Sequence, residues 1–142
     1  MKYLVFIALY LVTFSAQKCG AQADQFNREI VVGITWYHSH EEDREDLKFY
    51  RPESYSFPPS RGRTGFKLLP DGSAIYKSIG PNDVPRDNKA NWELSKDSTN
   101  LLLTIHNRAS PNDSQRFEYK VVSCQENLVQ LKSVDLDSKQ TK

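Results

Sequence analysis

The sequence predicts an all-β fold, a small antiparallel up-and-down barrel of about eight short strands. Two observations support this. Short segments rich in β-branched and aromatic residues recur along the chain, and clusters of Gly, Pro, Asn and Asp separate them at short intervals. A closed barrel is favoured over an open sheet because closure leaves no strand edge exposed. The chain has 142 residues, which suits a single domain.

The N-terminal segment is predicted to be a signal peptide over residues 1–23. Lys2 supplies the positive start, residues 3–14 form an almost unbroken apolar run, and Ala21-Gln22-Ala23 matches a cleavage site. This run of about a dozen apolar residues is shorter than the roughly 20 that span a bilayer as a helix. We therefore expect a secreted or periplasmic protein with no stable membrane span after cleavage.

Three alternatives to cleavage after Ala23 stay open. The segment could instead form a buried N-terminal helix or an uncleaved anchor. Cys19 offers the third, because bacterial lipoproteins are cut directly before a cysteine that then carries lipid. Lys18 precedes Cys19 where that signal has a small residue, so a lipid anchor through Cys19 is the minor alternative.

Charge and cysteine content exclude several classes of protein. Cleavage after Ala23 removes Lys2 and Lys18 and no acidic residue, so the formal charge falls from +1 to −1. A domain so near neutrality has no overall field to attract nucleic acid or an anionic membrane surface. Cys124 is then the one remaining cysteine, so the fold has no internal disulfide and depends on its hydrophobic core.

Strands alternate with turns along the whole mature chain. The segments predicted to be extended are Glu29–Tyr37, Lys48–Tyr50, Tyr55–Phe57, Gly65–Leu69, Ser73–Ser78, Asn91–Leu94, Leu101–His106, Phe117–Ser123 and Leu128–Val134. Pro70-Asp71-Gly72 marks a tight hairpin. A long loop is predicted over Gly80–Ala90, and helix only around Glu41–Leu47. This pattern places the barrel domain at 24–134 and a polar C-terminal tail at 135–142.

A set of segments carries a family resemblance that covers nearly all of the mature chain. Its specific members are Ser39-His40-Glu41-Glu42-Asp43 and Phe57-Pro58-Pro59-Ser60-Arg61-Gly62-Arg63, and the others are Trp36-Tyr37-His38, Tyr50-Arg51-Pro52, Pro70-Asp71-Gly72, Gly80-Pro81-Asn82-Asp83, Trp92 with Leu94, and Tyr119–Leu131. In this order they resemble the uncharacterised lipocalin-like domain proteins of bacteria, which are mostly exported. The resemblance implies a small lipocalin-like barrel without catalytic residues or an established ligand. Gly33-Ile34-Thr35-Trp36 is similar to the Gly-x-Trp start of a lipocalin barrel but has one residue more.

The densest group of candidate metal ligands is His38, His40, Glu41, Glu42 and Asp43. Imidazole and carboxylate groups suit zinc and related ions, and two histidines at alternate positions of a strand would share one face. The competing interpretation is a solvated, charged loop at the barrel rim. Because no third ligand stands at a diagnostic spacing, we predict neither a metal site nor a cofactor.

Arg61 and Arg63 follow a pair of prolines and allow two interpretations. Their guanidinium groups suit carboxylates and phosphates, so an anion site is one. The other is structural: Arg61 or Arg63 pairs with Glu41, Glu42 or Asp43 and ties two loops together. The structural interpretation is favoured because the prolines and Gly62 form a rigid frame for holding charged groups.

Aromatic residues are numerous, and Trp36, Tyr76 and Trp92 are candidates to line a ligand cavity. Core packing is the default interpretation, because a barrel of about eight strands leaves little spare volume. No motif for a catalytic nucleophile, a phosphate loop or a zinc protease is present. We therefore expect a protein that is not an enzyme.

The favoured function is a non-catalytic binding module for a small apolar or amphipathic molecule, held in an exported barrel. The sequence leaves the oligomeric state unknown, with a monomer favoured. The residues proposed to contact a ligand or partner are Trp36, His38, His40, Glu41, Glu42, Arg61, Arg63, Tyr76 and Trp92. The alternative is an envelope or secreted interaction domain, inhibitor-like, with no internal ligand. A histidine-based metal enzyme ranks last.

Overall fold

The computed structural model describes residues 25–106 and 114–134. The predictions for the signal peptide, for Cys19 and for the tail at 135–142 fall outside these residues. The elements are α1 (Arg28–Val31), β1 (Thr35–His38), β2 (Leu47–Pro52), β3 (Gly65–Leu68), β4 (Ser73–Ile79), β5 (Pro85–Leu94), β6 (Asn100–His106), β7 (Ser114–Gln125) and β8 (Leu128–Ser133), with 3₁₀ turns at His40–Glu42 and Pro81–Asp83.

The eight strands close into one antiparallel barrel, which confirms the predicted fold class. The order around the barrel is β1-β2-β8-β7-β6-β5-β4-β3. Strands β3 to β8 pair each with the next along the chain. Strand β1 lies between β2 and β3 and pairs with both, and β2 pairs with β8.

The course of the connection between β2 and β3, residues 53–64, follows from this order. We call this connection the strap. Because β2 and β3 are both antiparallel to β1, the strap must return along the length of β1. Its Phe57 meets Tyr37 edge to face, with ring centroids 6.1 Å apart. Tyr37 alternates with the inward-facing Trp36, so the strap crosses the outer surface of β1.

One end of the barrel is closed by an apolar core and by α1, and we call it the closed end. Trp36 is fully buried and donates from its indole nitrogen to the carbonyl of Val31 over 3.0 Å. Trp92 donates in the same way to the carbonyl of Leu69 over 2.8 Å, and Phe26 packs against its ring. Both indoles therefore bury their apolar bodies with the polar N–H satisfied.

Aromatic rings fill the middle of the barrel. Tyr50 packs on Phe66 with ring centroids 5.0 Å apart and shares a side-chain hydrogen bond with Tyr119. From opposite walls, Tyr76 and Phe117 stack at 6.1 Å. The remaining end, which we call the open end, lies beyond these rings, where β4 and β6 finish and β5 and β7 begin.

Four predicted elements differ from the structure. The strand predicted over Glu29–Tyr37 starts only at Thr35, because the Asn27 side chain accepts from the backbone N–H of Glu29 and caps helix α1 instead. The predicted loop Gly80–Ala90 ends early, since β5 begins at Pro85 and not at Asn91.

The predicted extended piece Tyr55–Phe57 lies in the strap and joins no sheet. Helix was expected around Glu41–Leu47, and only the 3₁₀ turn at His40–Glu42 is present there.

Candidate ligand site at the open end

A cavity of about 540 Å³ lies inside the open end of the barrel. Its lining comes from four consecutive strands, β4 to β7. The lining residues are Tyr76, Ser78, Asn88, Ile105, His106, Ser114 and Gln115. Because side chains alternate along a strand, the inward positions that bury Ala74 and Ala90 lower in the barrel also direct Tyr76, Ser78 and Asn88 into the cavity.

The floor of the cavity is aromatic and apolar. Tyr76 lines it with Phe117 stacked behind, and Ile105 forms the adjacent wall. Burial raises the pKa of the Tyr76 phenol. The phenol therefore stays protonated at neutral pH and keeps an O–H group to donate.

Asn88 and Ser78 form an ordered polar pair on the wall. The Asn88 amide nitrogen donates to the Ser78 hydroxyl oxygen over 2.8 Å and to the carbonyl of Tyr76 over 3.2 Å. The carbonyl only accepts, so the amide nitrogen must face it and the orientation of the amide is fixed. No buried polar side-chain atom of the described residues lacks a partner. Asn88 Oδ1 accepts no hydrogen bond within those residues, so it is not a buried atom. It is therefore accessible from the cavity.

Two ion pairs of the same strands lie on the outer surface. Lys77 pairs with Asp87 at 2.9 Å, and Arg116 reaches Glu93 at 3.4 Å. These residues alternate with the inward-facing lining residues. The described part of the cavity wall therefore consists of hydroxyls, carboxamides, an aliphatic side chain and the imidazole of His106. His106 Nε2 lies 2.6 Å from Oδ1 of Asn91 on the outside.

The connection between β1 and β2 holds a second polar cluster, centred on Asp43. This carboxylate accepts from Lys48 Nζ over 2.9 Å, from the backbone N–H of Phe49 over 3.2 Å, and contacts His38 Nε2 at 2.9 Å. Burial raises the pKa of Asp43, but the hydrogen bonds from Lys48, His38 and Phe49 outweigh it and leave the pKa below its ordinary value.

Two arginines complete the cluster with two-pronged ion pairs. Arg51 donates from Nε to Glu42 over 2.8 Å and also bonds the same carboxylate from Nη2. Arg63 donates to the Glu41 carboxylate from both Nη1 and Nη2. Its Nη2 also donates to the carbonyl of Pro58 over 2.9 Å. Hydrogen bonds from the two guanidinium groups lower the pKa of both carboxyl groups, to about 2 for Glu41.

The predicted pairing of an arginine with the acidic loop is thus made by Arg63 with Glu41. Arg63 also donates to the carbonyl of His38 over 3.3 Å and packs over the Phe57 ring. It therefore ties the strap to the end of β1. Arg61 is exposed and makes no ion pair or side-chain hydrogen bond within the described residues.

The two histidines do not share a strand face as expected. His38 is the last residue of β1, and His40 begins the 3₁₀ turn. Ser39 between them is buried, and its N–H bonds the carbonyl of Phe49, which turns the chain away from the sheet. Within residues 25–106 and 114–134, no group of three or more His, Cys, Asp or Glu side chains is placed to hold a metal ion.

Apart from the exposed Arg61, the predicted site residues therefore separate into three places. Trp36 and Trp92 lie in the closed-end core. His38, His40, Glu41, Glu42 and Arg63 lie in the ion-pair cluster. Tyr76 is the one predicted residue that lines the cavity.

Sequence reasoning missed most of the cavity lining. Ser78, Asn88, Ser114 and Gln115 fell in or next to segments that carry turn-forming residues, so their side chains had no inferred direction. The available signal was the alternation Ala74, Tyr76, Ser78, which extends the inward face of β4 to the open end.

No family model, curated protein or solved structure matches the chain. The resemblance to bacterial lipocalin-like domain proteins accordingly stays a prediction. Among the described residues no helix has the length and apolar character needed to cross a bilayer. The chain folds as a closed eight-stranded antiparallel barrel with a polar-walled cavity at its open end.

Proposed function

We propose that this protein is an exported, non-catalytic barrel that binds one small amphipathic molecule in its open-end cavity. The observation that carries the proposal is the cavity itself. Its volume of about 540 Å³ falls within the roughly 300–1,000 Å³ that is usual for small-molecule sites. The apolar floor and polar wall match the two sides of an amphipathic ligand. The signal peptide predicted over residues 1–23 supports a location outside the cytoplasm.

The position of the cavity limits the size of the ligand. A carrier of long apolar chains would need a continuous cavity lined by the barrel aromatics. Here Tyr50, Phe66 and Tyr119 pack against one another in the middle, and the closed end below them is filled. The proposed ligand is therefore a compact molecule held above the aromatic layer.

The lining residues support binding and not catalysis. Hydroxyl and carboxamide groups orient a ligand by hydrogen bonds but are weak acids and bases. His106 is the one histidine among the described lining residues. No carboxylate or cysteine belongs to the described lining to pair with it as an activated nucleophile would require.

The interaction-domain alternative has less support. Among the described residues only Tyr55 and Val84 are exposed large hydrophobic side chains. The acidic loop is neutralised by Arg51, Arg63 and Lys48. A groove of about 240 Å³ beside Tyr37 and Phe57 is the surface that this alternative would use.

Native mass spectrometry of the protein purified from its own host tests the proposal. We expect an added mass that is lost on denaturation. Gln115→Trp should abolish it by filling the cavity, whereas Lys120→Trp, the same change on the outer surface of β7, should retain it. Equal retention by both variants would place the ligand elsewhere, and a bare wild-type protein that also binds no member of a small-molecule library would refute the proposal.

A further inference from the structure

We infer that the ligand is a neutral, hydroxyl-rich ring compound of the monosaccharide class, recognised by Ser78 and Asn88. This inference rests on the proposed function, because it names the chemistry of the molecule in the same cavity. Three independent features of the wall lead to it: its lack of charge, its paired donor and acceptor, and its apolar floor.

The first feature is that no lysine, arginine, aspartate or glutamate is among the described lining residues of the cavity. Strand alternation directs Lys77, Asp87 and Arg116 to the outer surface, where they pair with acidic or basic neighbours. A charged ligand would lose hydration in the cavity without gaining an opposite charge from these lining residues, which is costly. The described lining therefore favours a neutral molecule.

The second feature is a donor beside an acceptor. Asn88 uses both of its N–H groups on Tyr76 and Ser78, so Asn88 Oδ1 is left to accept from a ligand. Ser78 accepts from Asn88, and its own O–H has no acceptor within the described residues, so it is left to donate. Two adjacent ligand hydroxyls, each able to donate and accept, satisfy this arrangement.

The third feature is the apolar floor next to further polar groups. Sugar rings present carbon-bound hydrogens on one face and hydroxyls around the edge. The faces of Tyr76 and Ile105 suit the carbon-bound hydrogens, while Ser114 and Gln115 at the rim suit additional hydroxyls. An aliphatic ligand would leave these polar groups without partners, which disfavours it.

Titration of the ¹⁵N-labelled mature protein, followed by amide chemical shifts, tests the inference. The probes are D-glucose, D-galactose, D-mannose and myo-inositol. Their charged and apolar relatives are D-glucuronate, D-glucosamine and cyclohexanol. We expect at least one neutral polyol to shift amides of residues 76–78, 88 and 115 at millimolar concentration. Its charged relatives should bind about tenfold more weakly or worse, since they bury an uncompensated charge.

Two near-isosteric variants provide the matched control. Asn88→Asp removes both N–H donors and adds a charge, and it should weaken the binding polyol by at least about tenfold. Asn127→Asp makes the same change in an exposed turn and should bind as the wild type does. Equal weakening by both variants would contradict the assigned roles.

The outcomes separate this inference from the proposed function. If cyclohexanol or a charged relative binds in the cavity more tightly than every polyol, the ligand class is wrong and the binding function stands. If no probe shifts the cavity amides and host-purified protein also carries no added mass, both fail.

Discussion

The two ends of the barrel are built from the same strands but stabilised by different forces. At the closed end the inward residues of β4 and β5 include Ala74 and Trp92, which are buried among apolar neighbours. At the open end the same inward faces present Ser78 and Asn88 to a cavity. A change from apolar to neutral polar along one strand face therefore marks where a core stops and a site begins.

The largest expected difference concerns the tryptophan at the centre of the closed end. Trp36→Ala should lower the free energy of unfolding by about 3–5 kcal/mol, because it opens a cavity and leaves the carbonyl of Val31 without its donor. Tyr76→Ala at the open end should cost about 1 kcal/mol, since Tyr76 already borders open space. Urea denaturation of both variants measures the difference, and similar losses would show that the ends are stabilised alike.

Acid should weaken the ion-paired loop at the open end. The pKa values of Glu41, Glu42 and Asp43 lie below their ordinary values in the folded protein. Their contribution is therefore complete above the ordinary carboxyl pKa and is lost as the pH falls through the folded values. We expect the free energy of unfolding to decrease as the pH drops from 4.5 towards about 2, the range over which Glu41 is shifted.

Glu41→Gln isolates one part of this acid dependence. Removing a carboxyl group with a lowered pKa should reduce the slope of the free energy of unfolding against pH. The reduction should correspond to the uptake of about one proton at most. Glu126→Gln, in an exposed turn where Glu126 makes no ion pair with any described residue, is the matched control. Thermal unfolding between pH 2 and 6 measures the slope, and an unchanged slope in Glu41→Gln would show that its pair with Arg63 adds nothing.

The smallest expected effect compares the two arginines near the strap. Arg63→Lys cannot keep the fork to Glu41 together with the bonds to Pro58 and His38. It should lower the melting temperature by about 3 °C, which is the effect of one lost hydrogen bond in a domain of this size. Arg61→Lys should leave the melting temperature unchanged. Equal melting temperatures for the two variants would assign Arg63 no structural role.

The sequence predicts the strands best where one face is apolar. Leu101, Leu103 and Ile105 alternate with less buried residues in β6. Phe117, Tyr119 and Val121 occupy alternate positions of β7. The turn at Pro70-Asp71-Gly72 likewise joins β3 to β4 where it is expected, with Gly72 at a positive φ of 86°. In these places local preference and tertiary packing agree.

Strand β5 shows why the cavity itself was missed. Its first half reads Pro85, Arg86, Asp87, Asn88, Lys89, with polar residues on both faces. The outward residues face solvent, and the inward Asn88 faces the cavity, so no apolar alternation indicates a strand. Asn88 makes the site polar and, for the same reason, removes the apolar alternation from which the strand would be predicted.

In helix α1, tertiary packing overrides a local preference for strand. Ile30, Val31 and Val32 favour a strand by their branched side chains. The structure instead uses Asn27 as a cap and buries Val31 over Trp36, whose indole bonds the Val31 carbonyl. Covering the closed end outweighs the local preference, and no single-residue propensity reports that benefit.

The position of β1 between β2 and β3 has a consequence for the order in which the chain can fold. Strands β3 to β8 form a meander of neighbouring hairpins. Strands β1 and β2 form one hairpin that must pair with both edges of this meander. One of these junctions pairs Leu47 with Lys132, near opposite ends of the described chain. Closure of the barrel therefore has to wait until β8 is available to pair with β2, and such distant pairing slows folding.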